Sequence, residues 1–175
     1  MGSVVRMFSQ FLIGIVLARL LGPEAFGTVA IGWVMIGIGS IVAELGLNAA
    51  VIQRETLAKQ DIRFAFTAQV LFGAALTGVG YFSASSIALF FHHADATPVI
   101  RAMSFLFLLQ SFGQTAGALL RRTLNFKAYQ GIGIVSYLTG YLLVGIPCAY
   151  SGLGAWSLVA AHLVQSMTFS LAAMW

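Results

Sequence analysis

The chain has 175 residues, of which 59% are hydrophobic and 8% charged, with a formal net charge of +4. An ordinary soluble domain carries about 25% charged residues. Nine basic and five acidic side chains cannot give one compact domain of this size a polar exterior, so a water-soluble globule is excluded. The basic residues are scattered between apolar runs and form no basic face, which argues against a nucleic-acid partner, and the single Cys148 cannot close an internal disulfide.

A bilayer core about 30 Å thick takes roughly 20 apolar residues per helix. Six windows qualify, at 4–21, 26–48, 63–91, 98–119, 128–150 and 153–175. The expected fold is an all-α membrane protein, one bundle of six transmembrane helices across residues 1–175, with the lipid bilayer as its solvent.

Arg6 before an apolar run has the look of a secretory signal, but LARLLGP stands where a small-residue cleavage site belongs. Arg6 also occupies the Ser/Thr position of a myristoylation motif, so the first window reads as a retained span. Gly22-Pro23 ends it, because proline disfavours helical geometry in its predecessor and suits the first turn of the next helix. LGPEAFG (21–27) is then the turn of a helical hairpin. The second window closes at QRETLAKQDIR (53–63), the one strongly polar stretch, where Thr56 is a candidate cap. HHADATP (92–98) parts the third and fourth windows, with Pro98 near a helix start. RRTLNFK (121–127) parts the fourth and fifth, and Ser151-Gly152 makes a tight turn before the sixth.

With a cytoplasmic N-terminus, the inner side holds Arg6, Arg54, Lys59, Arg63, Arg121, Arg122 and Lys127, and the outer side holds Arg19 and Arg101. Such a basic bias marks the cytoplasmic side, and with an even number of spans both termini face the cytoplasm.

Polar residues inside spans are costly and mark candidate sites. Gln110, Gln114 and Arg121 are offset by four and seven residues, so they share one helical face with the Gly113/Gly117 GxxxG pair. Two readings fit: a hydrophilic cavity wall, or helix packing held by amide hydrogen bonds. Trp33, Gly37, Ser40 and Glu44 recur on the second span. Glu44, the only acid within a predicted span, suits a cation or proton site, a counter-ion for a cytoplasmic-side arginine, or an interfacial carboxylate reaching water. Gln130, Tyr137 and Tyr141 line up on the fifth span, His162, Gln165 and Ser166 on the sixth, and Gln69, Gly73 and Thr77 more weakly on the third. Each stripe taken alone reads as packing; together they suit a bundle around a partly hydrated centre. Arg19 and Arg101, at outer helix ends, either snorkel to headgroups or capture an anionic group such as a diphosphate. No Ser/His/Asp set, phosphate loop or CxxC is present, and His92-His93 with Asp95 reads as an incidental loop pair in preference to a metal site. A catalytic role and a cofactor are therefore not expected.

LARLLGPEAFGTVAIGWVMIGIGSIVAELGLNAAVIQRE (17–55) resembles the N-terminal signature of polysaccharide exporters. These are the O-antigen and exopolysaccharide flippases of the multidrug/oligosaccharidyl-lipid/polysaccharide superfamily. PVIRAMSFLFLLQSFGQTAGALLRRTLNFK (98–127) is similar to that family's fourth span and basic exit, and GLGAWSLVAAHLVQSMTFSLAAMW (152–175) to its sixth. The resemblance implies two six-helix lobes around a central cavity, with this chain supplying the N-terminal lobe and lacking the second. It implies alternating access in the bacterial inner membrane, completed by the missing lobe or another copy of the chain. It further implies an undecaprenyl-diphosphate-linked oligosaccharide as cargo. Gln110, Gln114 and Tyr137 are then the expected cavity wall, and Arg19, Arg121 and Glu44 the expected charge-pairing groups. Rival readings are a peptidoglycan-precursor flippase, a drug/cation antiporter, an enzyme of polyprenyl-sugar metabolism and an inactive remnant.

Overall fold

The computed structural model describes residues 2–44, 59–122 and 125–174, among which every regular element is helical. The elements in chain order are α1 (Gly2–Glu44), α2 (Lys59–Phe90), a 3-10 turn (Ala94–Ala96), α3 (Thr97–Arg122), α4 (Phe126–Tyr150) and α5 (Ala155–Ala173). Among the described residues, four helical stretches are long and apolar enough to cross a membrane: Met7–Ile41, Gln60–Phe90, Ala94–Arg122 and Phe126–Tyr150. The expected count is six; the described parts of the first two windows fall within α1 on either side of a kink, and Ser157, His162, Gln165, Ser166, Thr168 and Ser170 lower the mean hydropathy of α5.

The expected break at Gly22-Pro23 is present inside α1. Gly22 adopts φ 72 and ψ 174, a left-handed conformation that glycine alone takes without steric penalty, so α1 is two helices joined at a kink. Thr56 lies outside the described residues. Asn125 starts α4 by accepting the Ala128 N–H on its side-chain oxygen at 3.2 Å. Ser151, Gly152 (φ 77) and Gly154 (φ 52) turn the chain from α4 into α5. α3 begins one residue before Pro98 and ends on Arg121 and Arg122, which complement the negative end of the helix dipole.

The middle of α4 departs from α-helical geometry. Pro147 has no N–H to offer the carbonyl one turn earlier, and its ring crowds that carbonyl. The residues before it, Leu138–Gly145, form a π-helix, and the Ile146 N–H reaches back five residues to the Tyr141 carbonyl.

Small residues set the helix crossings. Gly73 of α2 lies against Ser111 and the Phe107 carbonyl of α3, and Gly80 lies against Ser104. Thr77, between them, donates to the Ser104 carbonyl at 3.1 Å. The weak stripe Gln69, Gly73, Thr77 therefore runs along a helix seam. Gly32 and Gly39 of α1 face Met103 and Phe107 of α3. Ser170 of α5 donates to the Leu109 carbonyl at 2.6 Å, beside Gly113. Such close backbone approaches give helices their association where hydrocarbon, not water, surrounds them.

The apolar core gathers Ile13, Leu17, Val29 and Ile36 of α1 with Val99, Met103 and Leu106 of α3, Tyr137 of α4 and Leu158 and Val159 of α5. Much of the periphery is apolar as well. Phe64, Phe82 and Phe90 are 73%, 84% and 77% exposed, and Leu71, Val79 and Leu143 are exposed as well. Apolar area exposed on this scale fits contact with lipid tails.

Candidate functional site: a polar cavity inside the bundle

Within this apolar coat, α3, α4 and α5 line a partly open cavity of about 200 Å³. α3 contributes Gln110, Gly113, Gln114, Gly117 and Arg121 along the single face their spacing defines. α5 contributes His162, Gln165, Ser166, Phe169 and Ser170, and α4 contributes Tyr129 and Gly133. The glycines matter for the volume: at Gly113 an added Cβ would press on Ser170, 2.8 Å away. The helices thus touch there while the glutamines keep the space beside them.

Arg121 is the cation of the site. Its Nε donates to the Gly117 carbonyl one turn back at 3.3 Å, and its guanidinium carbon lies 5.1 Å from the Tyr129 ring centroid. The ring face attracts the charge and the helix carbonyl fixes one edge of the fork, leaving the other edge for a planar or tetrahedral anion. No carboxylate is among the cavity's described lining residues.

A second, smaller space of about 20 Å³ lies on the other side of Gln110 and Gln114, where Ser40 of α1 and Gln69, Gly73 and Leu76 of α2 close around Phe107 and Ser111. The two glutamines border both spaces, so polar groups from all five helices line one or the other. α1 reaches the larger cavity through Trp33, whose Nε1–H donates to Nδ1 of His162 at 3.3 Å.

Of the residues singled out from sequence, Gln110, Gln114 and Arg121 share the cavity. Tyr137 lies elsewhere. It is buried in the apolar core, stacked on Tyr141 at 4.7 Å, with its hydroxyl 3.5 Å from the Gln10 carbonyl. Arg19 is exposed on α1, three residues before the kink, and lines neither space. Glu44 closes α1, and its side chain lies outside the described residues. Arg101 is exposed, with its guanidinium 5.2 Å from the Tyr81 ring centroid and its Nη2 donating to Ser85 at 3.4 Å. His92 and His93 are exposed, and no group of three or more potential metal-binding side chains forms among the described residues. Tyr129, which sequence reasoning did not single out as a site residue, is the ring under Arg121. Its signal was its position eight residues beyond that arginine, across a turn short enough to bring them together.

Membrane-length helices with an apolar exterior around a polar cavity define a multi-pass membrane protein. A family model described as polysaccharide biosynthesis protein matches residues 16–175, and the chain belongs to that family. It is similar to the succinoglycan biosynthesis transport protein ExoT of Rhizobium meliloti, 29% identical over 153 residues that cover 87% of this chain and 31% of that protein. It is also similar to the lipopolysaccharide biosynthesis protein WzxC of Escherichia coli (24% over 160 residues, 89% of this chain and 32% of that one). The teichuronic acid biosynthesis protein TuaB of Bacillus subtilis is 27% identical over 108 residues, 61% of this chain and 22% of that one. The chain thus spans about a third or less of the length of these curated relatives. No solved structure gives a significant match.

Proposed function

We propose that this chain forms the N-terminal lobe of an exporter that flips a lipid-linked oligosaccharide precursor across the bacterial inner membrane by alternating access. The observation that carries the reading is the cavity of Gln110, Gln114, Gln165 and Arg121 within a bundle whose exterior is hydrocarbon-compatible. A glycan on an undecaprenyl diphosphate presents hydroxyls and two phosphates, and each polar group taken into lipid without a partner costs several kcal/mol, about 2–7 for a neutral one. Amides supply donors and acceptors for hydroxyls, and a guanidinium supplies the fork that matches phosphate. A described lining with a cation and no carboxylate favours an anionic glycolipid over a cationic drug. The names of the relatives, which concern succinoglycan transport and lipopolysaccharide and teichuronic acid biosynthesis, point to the same chemistry.

Rocking needs two lobes. A lobe that starts and ends on the cytoplasmic side pairs with one of equal orientation about an axis normal to the membrane, from further sequence or from another copy. In the orientation we propose, alkaline phosphatase fused after Ser151 is active and the same enzyme fused after Asn125 is inactive. The reverse pattern overturns the orientation.

The export reading is tested by a chimera in which this chain replaces the matching N-terminal part of the Rhizobium succinoglycan transport protein, in cells lacking the native protein. Secreted succinoglycan is expected to return. A chimera that inserts in the membrane at normal level and restores none overturns the reading.

A further inference from the structure

We propose that His162 is a proton-binding site on the cavity wall, and that its protonation breaks the polar tie between α5 and α1 and loosens the two helices beside their shared apolar core. The site stands whatever the cargo is, and rests on the contact the imidazole makes with Trp33. An indole N–H only donates, so the bond at 3.3 Å requires Nδ1 of His162 to be an unprotonated acceptor. A proton added at Nδ1 turns acceptor into donor and sets two N–H groups against each other. The bond joins side chains 129 residues apart in sequence and ties one helix directly to the other.

Neighbouring groups determine how the bundle responds to that proton. His162 lines the polar cavity, which gives a proton a route that apolar packing would deny. Tyr141 of α4 faces the imidazole, its ring centroid 6.4 Å away. Across the cavity stand Tyr129 of α4 and Arg121 of α3, and α1 presents Trp33. No carboxylate is among the described groups lining the cavity, so an imidazolium has no ion-pair partner there and shares the space with another cation. Acceptors that line the same cavity include the side-chain oxygens of Gln110, Gln165 and Ser166. Protonation therefore turns the ring from α1 toward the cavity. The Trp33–His162 bond breaks, and with it the polar tie between α5 and the second half of α1, which stays in the shared apolar core and along α3 at Gly32 and Gly39.

The test places spin labels at two exposed positions, Val34 on α1 and Met167 on α5, with Cys148→Ser to leave no other thiol. Interlabel distances are compared in bilayer discs at pH about 8 and about 5, values that bracket ordinary imidazole titration. The expected result is a distribution that lengthens reversibly at the acid pH. His162→Gln keeps a neutral acceptor for Trp33, so it should hold the short distance at both values. Trp33→Phe removes the donor and should show the long distance at both. A distribution that does not move with pH overturns the proposal, and so does one that still moves in His162→Gln. Neither outcome reads transport, so failure here leaves the export reading to its own test.

Discussion

Replacing Gly140 with alanine should destabilise the bundle by about 1–3 kcal/mol, as overpacking of a close-packed interior does, with valine worse. Gly140 sits in the π-helical part of α4, where its missing side chain lets the backbone lie on α5. A Cβ there would meet the Ala161 carbonyl oxygen, the Gln165 N at 2.9 Å and the Gln165 Cβ at 2.7 Å. Two of those three atoms are backbone, which no rotamer change can move. α4 and α5 would have to separate, and the separation would be felt farther along α4, where a Cβ on Gly145 would stand 3.0 Å from the Ala161 Cβ. The measurement is the midpoint of thermal unfolding of the purified chain in mild detergent. Gly37 and Gly78 are the internal controls, since a Cβ at either meets nothing within 4 Å. Alanine at those positions is expected to leave the midpoint unchanged or raise it, because helical glycine costs roughly 1 kcal/mol relative to alanine. If Gly140→Ala unfolds with the wild type, the close approach of α4 and α5 is not what holds them.

The contrast between Gly140 and Gly37 shows what the amino-acid sequence does and does not carry. Both are glycines within apolar runs, and Gly37 even shares the stripe of Trp33, Ser40 and Glu44, yet it is Gly140 that another helix comes to rest against. The same limit explains the cavity. Offsets of four and seven placed Gln110, Gln114 and Arg121 on one face, because helical geometry is local. That the His162, Gln165 and Ser166 stripe of α5 faces the same space depends on the packing order of the helices, which no local pattern encodes. Tyr137 met the same criteria as the glutamines, yet its ring joins the core. A tyrosine has an apolar body with a polar tip, so a stripe position fits either environment. The kink at Gly22 was readable because a Gly-Pro pair acts on its own neighbours. The π-helix had a comparable local signal in Pro147.

Substitution of Arg121 is expected to have the largest effect on export, and the pattern across substitutions discriminates its role. In the Rhizobium chimera, Arg121→Leu should lower secreted polysaccharide at least tenfold with the protein present at normal level in the membrane. Loss of a hydrogen bond to a charged group is worth about 1.5–3 kcal/mol, and each 1.4 kcal/mol is a factor of ten. Arg121→Lys should recover only part of that loss. Lysine keeps the charge, but a compact ammonium cannot lie flat on Tyr129 while forking toward a second partner. Tyr129→Phe retains an aromatic face and should export nearly as wild type, whereas Tyr129→Ala should fall toward Arg121→Lys. Gln114→Leu added to Arg121→Leu is expected to cost less than the product of the separate effects, since both side chains line one cavity and serve one bound group. Thermal midpoints separate this from a folding defect, because Arg121 is half-buried beside open space and its removal leaves no void in the apolar core. Undiminished secretion in the double variant would remove the cavity from the export path, and the glutamines would then be packing groups that happen to border water-sized space.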